Sequence, residues 1–210
     1  MRATPHTRLE AMLRDRDDPA EADWHRMREA LAARAAHEDL VDVAFERHET
    51  PLGAVLVAAT PVGLVRVGLP SEDEDEVLQQ LADRISRRVL RVSRPSLTRA
   101  RHELDEYFAG TRQAFGVELD WQLARGFRRE VLRATAEIPY GQTSSYRAVA
   151  SHAGSPGAVR AAGTALATNP LPIVVPCHRV LPAGGALGSY RGGPAAKARL
   201  LELEGARTAS

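Results

Sequence analysis

The residues of this 210-residue chain best suited to chemistry lie together at Pro176-Cys177-His178-Arg179-Val180. Cys177 is the only cysteine, so it cannot form an internal disulfide or a cysteine-rich zinc site. A lone cysteine is most often a small buried hydrophobe. Here an imidazole and a guanidinium follow it directly. Positive neighbours and a base lower a thiol pKa from about 8.5 and raise its thiolate fraction. The pattern therefore favours a nucleophile over inert packing. Ile173-Val174-Val175 reads as a short buried strand that Pro176 ends, because proline cannot donate to a ladder. Cys177 is then expected just past a rigid strand end, where site residues are commonly presented.

The elements around this stretch read as helices. Phe127 to Glu137 has Phe127, Val131, Leu132 and Ala134 at helical spacing and ends at Ile138-Pro139-Tyr140-Gly141. Thr143-Ser144-Ser145 can cap a helix from Tyr146 to His152. After the turn Gly154-Ser155-Pro156-Gly157, Ala158 to Thr168 forms another helix, stopped by Asn169-Pro170. Helix, glycine turn, helix is a helix-turn-helix pattern, though many helix pairs look alike. The second helix is small-residue-rich, with Arg160 as its one long polar side chain. A base-reading helix would carry several long polar side chains. This composition suits contact by shape and backbone, or a plain alanine-rich core helix.

Upstream, Leu40 to Phe45, Gly53 to Thr60 and Leu64 to Leu69 read as strands, the last two joined as a hairpin at Pro61-Val62-Gly63. Ser71 with Glu74 forms a capping box for a helix from Glu76 to Ile85. A short strand near Val89 to Val92, a helix from Pro95 to Phe108 and a strand from Phe115 to Leu119 complete the region. Residues 1–39 read as a peripheral helical extension, with a capping Asp23, an apolar face of Trp24, Met27 and Leu31, and an alanine run from Ala30 to Ala36. The expected fold class is an α/β N-terminal domain, a small sheet with helices, over 40–121, then a mostly helical C-terminal domain containing a helix-turn-helix over 122–210.

Charge separates the same two regions. Residues 1–121 carry net −6 and residues 122–210 carry net +7. A basic half suggests an anionic partner, and nucleic acid is the commonest large one. The alternative is chance segregation on a solvated surface. Of the 28 basic residues 27 are Arg; the exception is Lys197. Lysine can lose its proton at an active site and arginine cannot. The longest apolar runs, Gly53 to Thr60 and Leu171 to Pro176, fall far below the ~20 residues of a membrane helix. The charged N-terminus has no secretory signal pattern. The expectation is a cytoplasmic protein with no membrane partner.

The motif and its surroundings resemble the O6-alkylguanine-DNA alkyltransferases. The resemblance runs from about Phe127 to Gly205 and includes Pro176 to Val180, Ile138-Pro139-Tyr140-Gly141, Ser145-Tyr146, Asn169-Pro170, Gly188-Ser189-Tyr190 with Gly192-Gly193, and Lys197 through Leu200-Leu201 to Glu204-Gly205. It implies a monomer acting on double-stranded DNA that carries O6-alkylguanine, with O4-alkylthymine as an alternative lesion. Cys177 would take the alkyl group in a single turnover. His178 would act as base through a water, with Glu204 holding the imidazole. Asn169 would brace the turn, and Tyr146 and Lys197 would help protonate the departing guanine. Tyr190 would wall the alkylated base, with Ser189 beside it, and main-chain groups near Val180 and Arg191 would read its edge. Arg160 would replace the extruded nucleotide in the stack. Tyr146, Ala158, Ala161, Ala162, Thr143 and Ser145 would contact DNA. Some relatives bind zinc through N-terminal cysteines; residues 1–121 have none, so no metal and no cofactor are expected.

Two other functions fit parts of the pattern. A binding module could recognise alkylated DNA without transfer. A cysteine hydrolase could use Cys177 and His178 alone, but it leaves the basic half and Arg160 unexplained.

Overall fold

A computed structural model describes residues 40–184 and 186–206, together with Asp23, Trp24, Arg26, Met27, Ala30, Leu31 and Arg34. Those seven are helical, as the spacing predicts. Trp24, Met27 and Leu31 are exposed. The remainder of the expected N-terminal helix, including most of Ala30 to Ala36, lies outside the described residues. The sheet, the site and the helices that follow the first strand all belong to one compact unit beginning at Val41.

β1 (Val43–Thr50), β2 (Gly53–Ala59) and β3 (Leu64–Gly68) form an antiparallel meander. β4 (Val89–Leu90) adds parallel to β1, giving the order β3-β2-β1-β4. The β2–β3 hairpin is the one expected. The β1–β2 hairpin had no strong turn signal, and β1 runs on to Thr50. α1 (Glu74–Arg84) lies between β3 and β4 in sequence and seals Val77 and Leu81 against Val43, Leu56, Ala58 and Val65. Its cap is Asp73, which accepts from the Glu76 amide at 3.0 Å, so the helix starts two residues before the expected position. Ser71 does not cap it; its hydroxyl donates to the Arg191 carbonyl at 3.0 Å. The expected strand at Phe115 to Leu119 shrinks to a single parallel bridge, Leu119 to Leu64. Glu103 supplies the missing partners there, because its Oε2 accepts from the amides of Gly116 and Val117 at 2.7 and 3.1 Å.

α2 (Pro95–Phe108) begins with proline in its first turn, where no amide partner is needed, and buries Leu97, Ala100, Leu104 and Tyr107. The second half opens with α3 (Phe127–Ala136), followed by β5 (Ser144–Ser145), α4 (Tyr146–His152) and α5 (Val159–Ala167). α3 packs on both α4 and α5. A turn at Gly154, with φ +79, joins α4 to α5. β5 pairs parallel with β6 (Val180–Leu181). This two-residue ladder fixes the start of the helix pair to the segment that carries Cys177. α6 (Gly193–Leu203), with Pro194 in its first turn, closes the described chain.

The two halves meet around one turn. The Val67 amide donates to the Pro170 carbonyl at 2.8 Å. Buried Arg66 donates to that same carbonyl and pairs with Glu72. Glu72 also pairs with Arg191 at 2.7 Å. The β-sheet half therefore supports the back of the segment that presents the thiol.

Candidate active site

Cys177 opens a single 3-10 turn, Cys177–Arg179, and is 8% exposed. The residues before it are not the strand their β-branched run predicts. They form a tight turn in which the Val175 amide donates to the Leu171 carbonyl at 2.7 Å. Pro170, Pro172 and Pro176 remove three of the amides a strand would need. Asn169 spans the turn from both ends. Its Oδ1 accepts from the Leu171 amide at 2.9 Å, and its Nδ2 donates to the Val175 carbonyl at 2.9 Å and to Cys177 Sγ at 3.2 Å. Ile173, fully buried, is held at φ +72. That conformation costs a β-branched residue about 1–3 kcal/mol, and it survives because Asn169 spans the turn. The bracing expected of Asn169 is thus a set of three hydrogen bonds, one of them to the sulfur.

Behind the thiol lies a buried polar relay. His178 Nε2 is 2.9 Å from Glu204 Oε1, with both side chains fully buried. Glu204, at the C-terminal cap of α6, also accepts from Arg179 through Nε and a terminal nitrogen at 2.8 and 2.9 Å. Its Oε1 takes a further bond from the Tyr107 hydroxyl at 2.6 Å. Burial alone would raise the Glu204 pKa. The hydrogen bonds from His178, Arg179 and Tyr107 outweigh it and hold the carboxyl at about 2. Glu204 is therefore ionised at neutral pH and can only accept. Burial pushes the His178 pKa down, with Glu204 opposing, so the imidazole is neutral. Its one ring proton must then sit on Nε2, facing the carboxylate. Nδ1 is left as a lone pair, buried and without a hydrogen-bond partner. That is the form a general base needs.

The sequence pattern placed the Arg179 guanidinium beside the thiol, and the structure corrects this. Arg179 turns away to Glu204 and donates to the Ile138 carbonyl. Burial pushes the Cys177 thiol pKa up; the Asn169 hydrogen bond and the charges of Lys197 and Arg191 oppose this only in part. The resting sulfur is a thiol, so any nucleophilic step needs a base to take its proton.

The remaining expected residues divide by placement. Buried Lys197 donates to the Val180 carbonyl at 2.8 Å, and burial pushes its pKa down. That carbonyl keeps one lone pair for another donor. Burial raises the Tyr146 pKa, and a thiolate at Cys177 would raise it further, so its phenol stays protonated. The rings of Tyr190 and His178 meet edge to face with centroids 6.3 Å apart. The Tyr190 hydroxyl is buried without a partner. Gly188, at φ +65, leaves no space for a side chain, since a Cβ would stand 2.8 Å from Pro182. Ser189 is exposed. Arg191 pairs with Glu72 and donates to the Ala167 carbonyl.

On α5, Arg160 and Ala161 are exposed, and Ala158, the N-cap residue before it, is half-buried. Ala162 is fully buried and packs inward, which removes it from the expected groove surface. Thr143 is exposed. The Ser145 hydroxyl caps α4, accepting from the Ala148 amide at 3.1 Å. Sequence reasoning missed Tyr107, which looked like any core residue of an amphipathic helix, and missed that Arg179 serves Glu204. Among the described residues no cluster of three or more His, Cys, Asp or Glu could hold a metal ion, and no helix is long and apolar enough to cross a membrane.

A thiol on a braced turn and a neutral imidazole backed by a carboxylate stand together with a helix pair in the basic half of the chain, an arrangement a DNA-binding alkyl-transfer protein can use. Residues 43–121 match the ribonuclease-like domain of 6-O-methylguanine DNA methyltransferase, and residues 126–206 match its DNA-binding domain. The chain belongs to the 6-O-methylguanine DNA methyltransferase family. It is 39% identical over 157 residues to the constitutive methylated-DNA–protein-cysteine methyltransferase of Bacillus subtilis, covering 74% of this chain and 92% of that protein. It is 49% identical over 105 residues to the Mycobacterium bovis methylated-DNA–protein-cysteine methyltransferase, covering 50% of this chain and 63% of that one. In structure it is similar to Mycobacterium tuberculosis OGT in complex with DNA. The TM-score is 0.65 at 35% identity, over 77% of this chain and 92% of that one.

Proposed function

We propose that this protein repairs O6-alkylguanine in double-stranded DNA by moving the alkyl group to Cys177. The observation that carries this reading is the buried His178 imidazole directly after Cys177, its Nε2 2.9 Å from Glu204 Oε1 and its Nδ1 without a hydrogen-bond partner. In the reaction the thiol proton passes to His178 through a water. The sulfur then attacks the alkyl carbon; the S–C bond forms as the C–O6 bond breaks. The electron pair left on guanine takes a proton from the Tyr146 and Lys197 side of the site. The product is a thioether and neutral guanine. No second cysteine exists to displace the alkyl group, so each molecule acts once.

O6 is inaccessible within a duplex, so the nucleotide must leave the stack. In this reading Tyr190, Ser189 and the Val180 carbonyl receive the base. Arg160, exposed on the first turn of α5, fills the gap. Ala158, Ala161, Thr143 and Ser145 line the approach. Residues 40–121 serve as a supporting domain and residues 122–210 as the catalytic and DNA-binding domain. A cytoplasmic monomer that needs no cofactor completes the proposal.

Its test is a duplex carrying O6-methylguanine with a radiolabelled methyl group. The expected result is label moving stoichiometrically from DNA to protein. Tight binding with all label left on DNA would replace this reading by recognition alone.

A further inference from the structure

Tyr107 stands apart in this molecule. It belongs to α2, in the region matched to the ribonuclease-like domain, yet its hydroxyl reaches the carboxylate that orients His178. The Oη to Glu204 Oε1 distance is 2.6 Å, and the side chain is fully buried. Its ring is clamped by three others. The Phe108 and Phe115 centroids each lie 5.3 Å away, and that of Tyr140 lies 6.1 Å away. Packing would hold this ring in place without the oxygen. The oxygen thus has a function separate from the ring's.

We infer that Tyr107 is a positioning residue for alkyl transfer, through which the N-terminal half sets the basicity of His178. The inference rests on the proposed reaction. The logic lies in the shared acceptor. Glu204 Oε1 accepts simultaneously from Tyr107, from Arg179 and from His178 Nε2. Each added donor draws negative charge from that oxygen and weakens its pull on the imidazole proton. The phenol therefore keeps His178 from becoming too basic, so that the ring remains an uncharged acceptor at neutral pH. Burial and the Glu204 charge keep the phenol itself protonated. The other titratable or charged groups facing the pair are Arg179 on the 3-10 turn, Lys197 on α6, Tyr190 just before α6 and Tyr140 on the loop after α3. None of these is a neutral donor to Oε1.

The experiment compares wild type, Tyr107→Phe and protein with 3-fluorotyrosine in place of Tyr107. Two readouts are taken: the His178 imidazole pKa by NMR, and the single-turnover transfer rate against pH. Phenylalanine keeps the ring packing and removes the donor. The expected result is a His178 pKa raised by roughly half a unit, a fraction of the ~1 unit one hydrogen bond moves a carboxylate, with the acid limb of the rate profile rising in step. Fluorotyrosine is a stronger donor and should move both in the opposite direction. A uniform drop in rate with an unmoved imidazole pKa, or shifts of the same sign in both proteins, would overturn the inference and leave Tyr107 as packing. If wild type transfers no methyl group, the reaction proposed above fails; the imidazole titration still tests the coupling.

Discussion

His178 Nε2 and Glu204 Oε1 stand 2.9 Å apart with both side chains wholly removed from water. This contact sets which nitrogen carries the proton, and so which nitrogen can accept one.

Glu204→Gln should damage both rate and stability. The amide carries no charge, so Nε2 loses its anionic acceptor and Arg179 becomes a buried cation without a counterion. Breaking a buried pair in this way costs about 3–5 kcal/mol. Transfer should slow by at least roughly tenfold, against the ~10²–10⁴ that a positioned general base supplies. DNA affinity should change little. The same pair gives wild type an acid-sensitive stability with two steps. His178 has a folded pKa below 6.5, so its contribution is present above pH 6.5 and is lost as pH falls through the folded value. Glu204 drops from 4.5 to about 2, so its contribution is present above pH 4.5 and fades toward pH 2. The second step is on the order of 3 kcal/mol, and Glu204→Gln should lack it. Chemical denaturation at several pH values, beside single-turnover rates, checks both. An unchanged rate would remove Glu204 from the reaction.

Asn169→Ala should destabilise the turn that presents the sulfur. It leaves the Leu171 amide buried without its partner, at about 1–3 kcal/mol, and takes one of two donors from the Val175 carbonyl, which keeps the Cys177 amide at 2.8 Å. It also releases Ile173 from its φ of +72. The expected result is a lower midpoint in urea and a slower transfer reaction, with Cys177 more open to a small thiol reagent. Equal reagent rates in variant and wild type would mean that something else holds the turn.

Arg160→Ala should separate base extrusion from chemistry. Arg160 is exposed and lies far in sequence from the relay, on a helix otherwise built of small and aliphatic residues. If it fills the vacated stack, its loss leaves an unstacking cost of a few kcal/mol uncompensated. Transfer from duplex should slow by roughly tenfold for each ~1.4 kcal/mol lost. Transfer from the free base O6-benzylguanine, which needs no extrusion, should be nearly unchanged. Equal losses on both substrates would show that Arg160 supports the fold instead.

Much of this architecture was legible before any coordinates. α2 and α3 match their apolar spacing almost to the residue, because long periodic segments with proline or glycine at their ends leave few alternatives. The Cys177-His178 pair was visible as chemistry. Two misreadings share one cause, which is that side chains replaced backbone partners, and a third comes from a partner distant in sequence. Ile173-Val174-Val175 looked like a strand until Asn169 and three prolines made it a turn. Phe115 to Leu119 lost its ladder to Glu103. Arg179 looked like an activator of the thiol until Glu204, 25 residues on, proved to be its partner. Glu204 itself carried no local signal and was found only by resemblance. Tyr107 was hidden for a plainer reason, since a buried tyrosine on an amphipathic helix packs the same way whether or not its hydroxyl has work. Ala162 misled because one turn of an alanine-rich helix holds inward and outward alanines that sequence does not distinguish.

The central claim is that Cys177 receives the alkyl group and keeps it. Intact-mass spectrometry on wild type and Cys177→Ala, each mixed with excess duplex carrying O6-methylguanine, tests this most directly. Wild type should gain the mass of one CH2 group per chain and then stop, with the added group on the peptide containing Cys177. The alanine variant should gain nothing while still binding the duplex. Methyl removal by the alanine variant, or repair exceeding one lesion per wild-type chain, would contradict the account.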